Sequence, residues 1–416
     1  MLTPGDILTL TIDKPAAGGR MIARADGQVV LVSGAIPGER VRAQIERIGK
    51  GVAFAETIAV DEPSADRRQP FADPMCGGNL FGHIAYRRQL EIKSQVIADA
   101  FARIGHVTLP SAVAIAASPE DGYRMRARLH VRGHRIGFFR EATHEVCDVR
   151  PTRQLLPATC DTLDRLSAAI SALAIRDGRE IELSENIEAT ERVVHLETAA
   201  PLDRRVLEKV MSVEGLTPGP YVNETLAIGG ATLRLRRHVV AFFQGNRYLL
   251  RDLVAHVVER IPIGTSLLDL YAGAGLFSVA AAVLRGAWVV AVEGDKVAAD
   301  DLHANGAASG AQITTVKGAV EGIATGYARA IQRHDGQRLV ETVIVDPPRT
   351  GMTREALDAM LGTKAMRLIY VSCDVATLAR DTRRLVDAGY VIDRADGFDL
   401  FPNTPHVETV VVFDRL

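Results

Sequence analysis

From about Val240 to the end of the chain, short runs of aliphatic and β-branched residues alternate with stretches of helical composition. That alternation admits few folds other than a doubly wound α/β sheet. The runs at 267–270, 287–292, 342–345, 368–371 and 409–413 are too short for buried helices and read as buried strands. Open α/β sheets bind ligands beyond their strand ends, so the residues that follow or precede these runs are the candidates for chemistry.

Four strand ends carry suitable residues. Leu267-Leu268-Asp269-Leu270 runs into Tyr271-Ala272-Gly273-Ala274-Gly275, and an alanine-rich helix follows. Glycines there let a backbone approach a ligand closely, and a helix N-terminus favours an anionic group. The next strand ends at Glu293, about 20 residues on, where a carboxylate can accept hydrogen bonds from ribose hydroxyls. Nicotinamide dehydrogenases and S-adenosylmethionine-dependent methyltransferases share this arrangement. The dinucleotide fingerprint wants a third glycine where this chain has Ser278, which disfavours pyrophosphate. The run 341–352 delivers Asp346, two prolines that stiffen the loop, and Arg349. Cys373 directly follows a buried strand, and Glu408 lies between a proline-broken turn and another strand. A thiol and a carboxylate on one sheet edge read as nucleophile and base.

Upstream the composition differs. Residues 5–60 read as short strands broken by Gly, Pro and Asp, the pattern of a small OB-like barrel. Residues 61–74 read as a linker. Leu90, Ile97, Phe101 and Ile104 recur at helical spacing, with Gly105 as a stop. Net charge is −2, which does not by itself announce a nucleic-acid binder. Between 122 and 153, however, eight arginines face three acids. The alternation of Arg124, Arg126 and Arg128 would set three guanidinium groups on one face of a strand, either for phosphates or as a solvated face with internal ion pairs. The four cysteines form no Cys-x-x-Cys pair, which fits a reducing compartment and argues against structural zinc. No apolar run approaches the roughly 20 residues of a membrane span, and no secretory signal is evident, so the expectation is a cytoplasmic protein without membrane contact.

In combination the motifs resemble the RNA uracil-C5 methyltransferase family: the glycine loop, Asp-Pro-Pro-Arg-x-Gly at 346–351, Ser-Cys-Asp around Cys373, and His-Val-Glu ending at Glu408. Phe242-Phe243-Gln244-Gly245-Asn246 matches the family's Phe-x-Gln-x-Asn segment. The arginine strand resembles its central RNA-binding domain, and the first 60 residues resemble a TRAM domain. The resemblance implies three parts: a TRAM barrel over 1–64, a central mixed α+β domain over 65–240, and a Rossmann-like class I methyltransferase domain over 241–416. It implies Cys373 as the nucleophile at uracil carbon 6 and Glu408 as the base, with Asp346 and Arg349 supporting them. S-adenosylmethionine would be held by Gln244, Tyr271, Gly273, Glu293 and Asp346. Arg124, Arg126 and Arg128 would contact RNA, and the TRAM-like barrel leans toward 23S ribosomal RNA over transfer RNA. A monomer is the default expectation.

Many relatives bind a [4Fe–4S] cluster through four cysteines. Here Cys76-Gly77-Gly78-Asn79 keeps one, the other positions fall near Pro70, Asn79 and Thr152, and Cys147 sits at a different offset. One thiolate cannot hold a cubane, so neither cluster nor other metal is expected. Ala272 and Leu276 also stand where the family often has Cys and Asn. A silent RNA-binding protein would not require both Cys373 and Glu408, and a nicotinamide oxidoreductase has no use for that pair. A cytosine-C5 methyltransferase would place a second cysteine after Pro-Pro, where this chain has Arg349.

Overall fold

The alternating N-terminal segments pair into one six-stranded sheet in the computed structural model, which describes residues 2–141, 143–322 and 340–415. The strands are β1 (Ile7–Thr11), β2 (Lys14–Pro15), β3 (Met21–Ala25), β4 (Gln28–Ser33), β5 (Arg40–Gly49) and β6 (Val52–Glu62), in the order β1-β5-β6-β4-β3-β2. In β5, Val41, Ala43 and Ile45 point inward and Arg40, Arg42 and Gln44 outward, so the period of two rolls the sheet around a single core. Phe81, Ile84 and Ile92, from beyond the barrel, complete that core. The stretch expected to be a linker is tied down instead. Arg67 donates to both carboxylate oxygens of the buried Glu39 at 2.6 Å and to Gly34 O at 2.9 Å.

Helix α1 (Tyr86–Ala100) follows, with Ile92 and Ile97 buried. The chain then widens into one π turn over 101–105 and reverses at His106, which has φ 51°. Phe101 is buried, but Ile104 is exposed and Leu90 only half-buried, so the apolar stripe is narrower than its spacing suggested. Gly105 is needed for another reason: a Cβ there would lie 3.0 Å from Ala379 O. Next come β7 (Ala114–Ala116), β8 (Arg126–Arg132), β9 (Arg135–Phe139) and β10 (Val146–Asp148). After α2 (Pro157–Ala172), strands β11 (Gly178–Glu185) and β12 (Arg192–Thr198) complete an antiparallel sheet, β10-β9-β8-β11-β12. Helix α3 (Arg204–Met211) and the hairpin β13 (Tyr221–Ile228) with β14 (Ala231–His238) lead to α4 (Leu250–Glu259).

The remaining elements alternate as expected: β15 (Ser266–Leu270), α5 (Leu276–Arg285), β16 (Trp288–Glu293), α6 (Lys296–Ser309), β17 (Ile313–Lys317), β18 (Thr342–Val345), α7 (Arg354–Gly362), β19 (Arg367–Ser372), α8 (Val375–Asp387), β20 (Tyr390–Phe398) and β21 (Glu408–Arg415). They form the sheet β17-β16-β15-β18-β19-β21-β20-β7. The first five are parallel, whereas β21 runs antiparallel between β19 and β20. β7, from the stretch assigned to the central domain, adds to the edge beside β20. Among the described residues no helix is long and apolar enough to cross a membrane.

One expectation is corrected. Cys76 and Cys147 form a disulfide across 71 residues of sequence. Both flank β9, since Gly77 N donates to Phe139 O at 3.0 Å and Cys147 pairs with Phe138 in the ladder, an adjacency that spacing along the chain conceals. A thiol bonded to Cys147 is not a thiolate ligand for iron. Closing a loop of that length restricts the unfolded chain, so reduction or Cys147→Ser is expected to lower stability by about 2–4 kcal/mol. Identical denaturant midpoints with and without reductant would show that the two sulfurs stay apart in solution.

Candidate active site

The glycine loop is shaped by backbone requirements. Gly275 begins α5 with φ 90°, and a Cβ there would lie 2.7 Å from Leu302 Cδ1. Tyr271 also takes positive φ, 61°, an uncommon conformation for a side chain of its size. Glu293, half-buried at the end of β16, accepts from Gly273 N at 2.7 Å and from Asp295 N at 2.7 Å. Each of its oxygens keeps a second lone pair for a ribose hydroxyl. Leu276 is buried in the core beneath α5, and Ser278 donates to the buried carboxyl of Asp269.

Asp346 follows β18, where its N–H donates to Leu270 O at 3.3 Å. Gln244 Nε2 donates to Asp346 Oδ2 at 3.2 Å, so the Phe-x-Gln-x-Asn segment lies against the loop that follows β18. Asn246, in the same segment, is fully buried and donates to Leu400 O and Ser118 Oγ. Burial and the neighbouring Asp269 push the Asp346 carboxyl up to about 7. A ligand carrying a sulfonium and an ammonium group would favour its ionised form.

Cys373 follows β19 directly. Asp374 then caps α8, accepting from Thr377 N at 2.8 Å, and so fixes the turn that presents the thiol. Ser372 pairs with Thr409 across the β19–β21 ladder. The next positions along the two antiparallel strands are Cys373 and Glu408, brought face to face by register. Glu408 is 3% exposed and its Oε1 has no hydrogen-bond partner. Burial and Asp346 push its carboxyl well above the ordinary range, while Arg349 opposes them. Arg349 is exposed, and the loop that carries it is gripped by α8: Thr377 Oγ1 donates to Arg349 O at 3.3 Å and Arg380 Nη2 to Met352 O at 3.2 Å.

Burial first, and then the Glu408 charge, push the Cys373 thiol up to about 12, with Arg349 acting in the other direction. Alkylation of Cys373 in the RNA-free enzyme is therefore expected to rise about tenfold per pH unit from 7 to 10 without levelling off. Peptide mapping after iodoacetamide checks this, and a plateau below pH 8 would contradict it. Cys160 is the other free cysteine and is buried.

Of the two alternatives for the arginine row, internal ion pairs hold for two of its members. Arg126 and Arg128 reach Glu182 at 3.4 and 2.6 Å, and Arg128 also meets Glu180 at 3.5 Å, so β11 neutralises two of the three. Arg124 differs. It donates to Gln154 Oε1 at 2.7 Å and to Arg126 O at 3.0 Å, and among the described residues no carboxylate lies within ion-pair distance. Its guanidinium lies 5.0 Å from the Phe138 ring centre and 5.7 Å from that of Phe401.

The structure thus brings Cys373, Glu408, Asp346 and Arg349 together, with Gly273 and Glu293 at the adjoining strand ends and Gln244 reaching Asp346 from the segment before α4. Sequence reasoning missed Lys93, Asp399, Gln89 and Asn403, which hold the loop leading to Glu408. A signal existed for two of them: Gln89 and Lys93 stand four residues apart on the buried face of α1.

Comparisons with known proteins place the chain in a family. Residues 179–416 match the tRNA (Uracil-5-)-methyltransferase family, and residues 2–58 match the TRAM domain. A Halomonas elongata protein named 23S rRNA (uracil(1939)-C(5))-methyltransferase RlmD is 32% identical, over 98% of this chain and 89% of its own. A Bordetella bronchiseptica protein of the same name is 30% identical, over 99% and 93%. The crystal structure of Pyrococcus abyssi tRNA (uracil-54, C5)-methyltransferase in complex with S-adenosyl-L-homocysteine has a TM-score of 0.74 at 22% identity, covering 97% of this chain and 99% of that one. It shares the fold.

Proposed function

The chain belongs to the tRNA (Uracil-5-)-methyltransferase family, and we propose that it methylates carbon 5 of a uridine in 23S ribosomal RNA, in the cytoplasm. The observation that carries this reading is the register of β19 and β21, which opposes a thiol and a desolvated carboxyl at one sheet edge. S-adenosylmethionine, when bound, supplies the methyl group as an electrophile. Glu293 offers acceptors for its ribose, Gly273 lets the backbone approach, and Asp346 with Gln244 adds a carboxylate and an amide near its cationic end.

Carbon 5 of uracil is a weak nucleophile on its own. Bond formation between the Cys373 sulfur and carbon 6 moves the ring electrons into an enolate, whose carbon 5 can then take the methyl group. The thiol must first lose its proton, and Arg349 is the cation placed to favour the thiolate. After transfer, carbon 5 still bears its hydrogen. Glu408 takes that proton, the carbon 5–hydrogen pair forms the 5,6 double bond, and the carbon–sulfur pair leaves with Cys373. Arg124, a half-buried cation with no carboxylate partner among the described residues, is suited to an RNA phosphate.

Both relatives described above carry a 23S rRNA name, which favours ribosomal over transfer RNA here. Incubation of the enzyme with methyl-labelled cofactor and separate 23S and transfer RNA from a strain lacking the gene tests the reading. Label in 5-methyluridine of 23S RNA is expected. Label confined to transfer RNA would overturn the choice of substrate, and label in neither would favour a silent RNA-binding protein.

A further inference from the structure

Glu408 is the first residue of β21, so the ladder fixes its backbone on one side only. On the other side is the loop 399–407, and several parts of the chain converge on it. Asp399 N donates to Ala116 O at 2.9 Å, and Asn246 Nδ2 donates to Leu400 O at 3.0 Å. Gln89 makes a paired contact with Asn403, receiving its N–H at 2.9 Å and donating to its Oδ1 at 2.9 Å. Asn403 needs such holding, because it takes a positive φ of 64°. Arg68 donates to the same Oδ1 at 2.6 Å, and Phe81 N donates to Asn403 O at 2.8 Å. From the barrel, Gly19 lies so near Pro405 that a Cβ would come within 2.8 Å of its Cγ.

At the base of the loop Lys93 Nζ donates to Asp399 Oδ1 at 2.5 Å, with both side chains fully buried. Lys93 Nζ also lies 3.3 Å from Phe401 O. A fully buried ion pair is weak evidence for a stabilising role, because desolvation offsets much of its attraction. What it supplies is one permitted geometry. We infer that the Lys93–Asp399 pair, together with Gln89, sets the position of the loop that ends in Glu408, making Lys93 a positioning residue for the elimination half of the reaction. This inference rests on the roles proposed above for Cys373 and Glu408.

The division between the two half-reactions follows from the supports. Cys373 is held by β19 and the Asp374 cap, and Gly273, Glu293 and Asp346 follow or end β15, β16 and β18; of the groups assigned to the cofactor, Gln244 is the one whose segment bonds the loop, through Asn246 and Leu400 O. Glu408 is the reacting group that hangs from the loop. A shift of about 1 Å in such a group can cost on the order of 100-fold in rate. Loss of the pair should therefore leave methyl transfer running and let the methylated covalent complex accumulate.

The test compares wild type, Lys93→Met and the double variant Lys93→Met/Asp399→Leu, in which an apolar pair replaces the ionic one, a change buried pairs commonly tolerate. Each is incubated with methyl-labelled cofactor and 23S RNA. Label migrating with protein on a denaturing gel is divided by label on free RNA, a ratio that the folded fraction does not alter. Both variants are expected to raise it about 10- to 100-fold. An unchanged ratio in the double variant overturns the inference. So does a double variant that binds cofactor yet forms neither adduct nor product, since the pair would then serve an earlier step. Wild-type enzyme tests the underlying mechanism separately: if RNA containing 5-fluorouridine leaves it with no denaturation-resistant adduct, covalent catalysis by Cys373 itself falls.

Discussion

Cys373→Ala is expected to lower methyl transfer about 10⁴-fold or more, the scale on which loss of a nucleophile acts. The reason is electronic rather than structural. Without a sulfur on carbon 6, carbon 5 has no enolate electrons to give, and nothing else at this edge can supply them. The remaining catalysis would come from juxtaposition alone. The substitution removes one half-exposed sulfur at a strand end, so its effect on stability should stay within about 1 kcal/mol. Cofactor affinity should also persist, because Gly273 and Glu293 lie on other strand ends and bond each other whether or not the thiol is present. The check is a calorimetric titration with S-adenosylhomocysteine beside a methyl-transfer assay. A second readout uses RNA with 5-fluorouridine, which has no removable proton at carbon 5: wild type should stay bound through denaturation, and the alanine variant should not. Robust turnover by Cys373→Ala would exclude addition by that thiol.

The parts of this molecule that were legible in the sequence share one property. Strands buried on both faces must be apolar throughout, so β15, β16, β18 and β19 stand out as short hydrophobic runs, and the polar residue that ends each run marks a site. Glu293, Asp346 and Cys373 are the candidates picked out in that way. That Cys373 and Glu408 share one edge is also readable from their places beside strands, but their face-to-face register is not, since it depends on β21 inserting antiparallel between β19 and β20. Contacts across long sequence separations stayed hidden for the same reason. The partners of Arg126 and Arg128 lie on β11, more than 50 residues on, so alternation revealed the shared face but not the carboxylates that neutralise it. Cys76 and Cys147 meet because both border β9. Lys93 and Asp399, 306 residues apart, are more distant still, and only the polarity of a buried helix face hints at the first of them.

Glu408→Gln should separate methyl transfer from elimination. Glutamine keeps the size of the side chain and fits the same buried slot, but its amide does not take up a proton at carbon 5. Addition by Cys373 and methylation do not require that proton to leave, so they should proceed and turnover should halt at the methylated covalent complex. Release of product is expected to fall about 10²- to 10⁴-fold, with label from the cofactor migrating with protein on a denaturing gel. Stability gives an independent check that the variant is folded. The folded-state pKa of Glu408 is raised above its ordinary 4.5 by burial and by Asp346, so the folded chain binds more protons than the unfolded chain above that value. Wild type must therefore lose stability as pH rises above about 4.5 through the raised value, an effect the neutral glutamine does not share. The variant should accordingly be more stable than wild type at neutral pH, and that advantage should shrink as pH falls toward 4.5. Normal release of methylated RNA by such a folded variant would mean that another group takes the proton. Absence of both adduct and product would mean that Glu408 acts before methylation, in holding the uracil ring against Cys373.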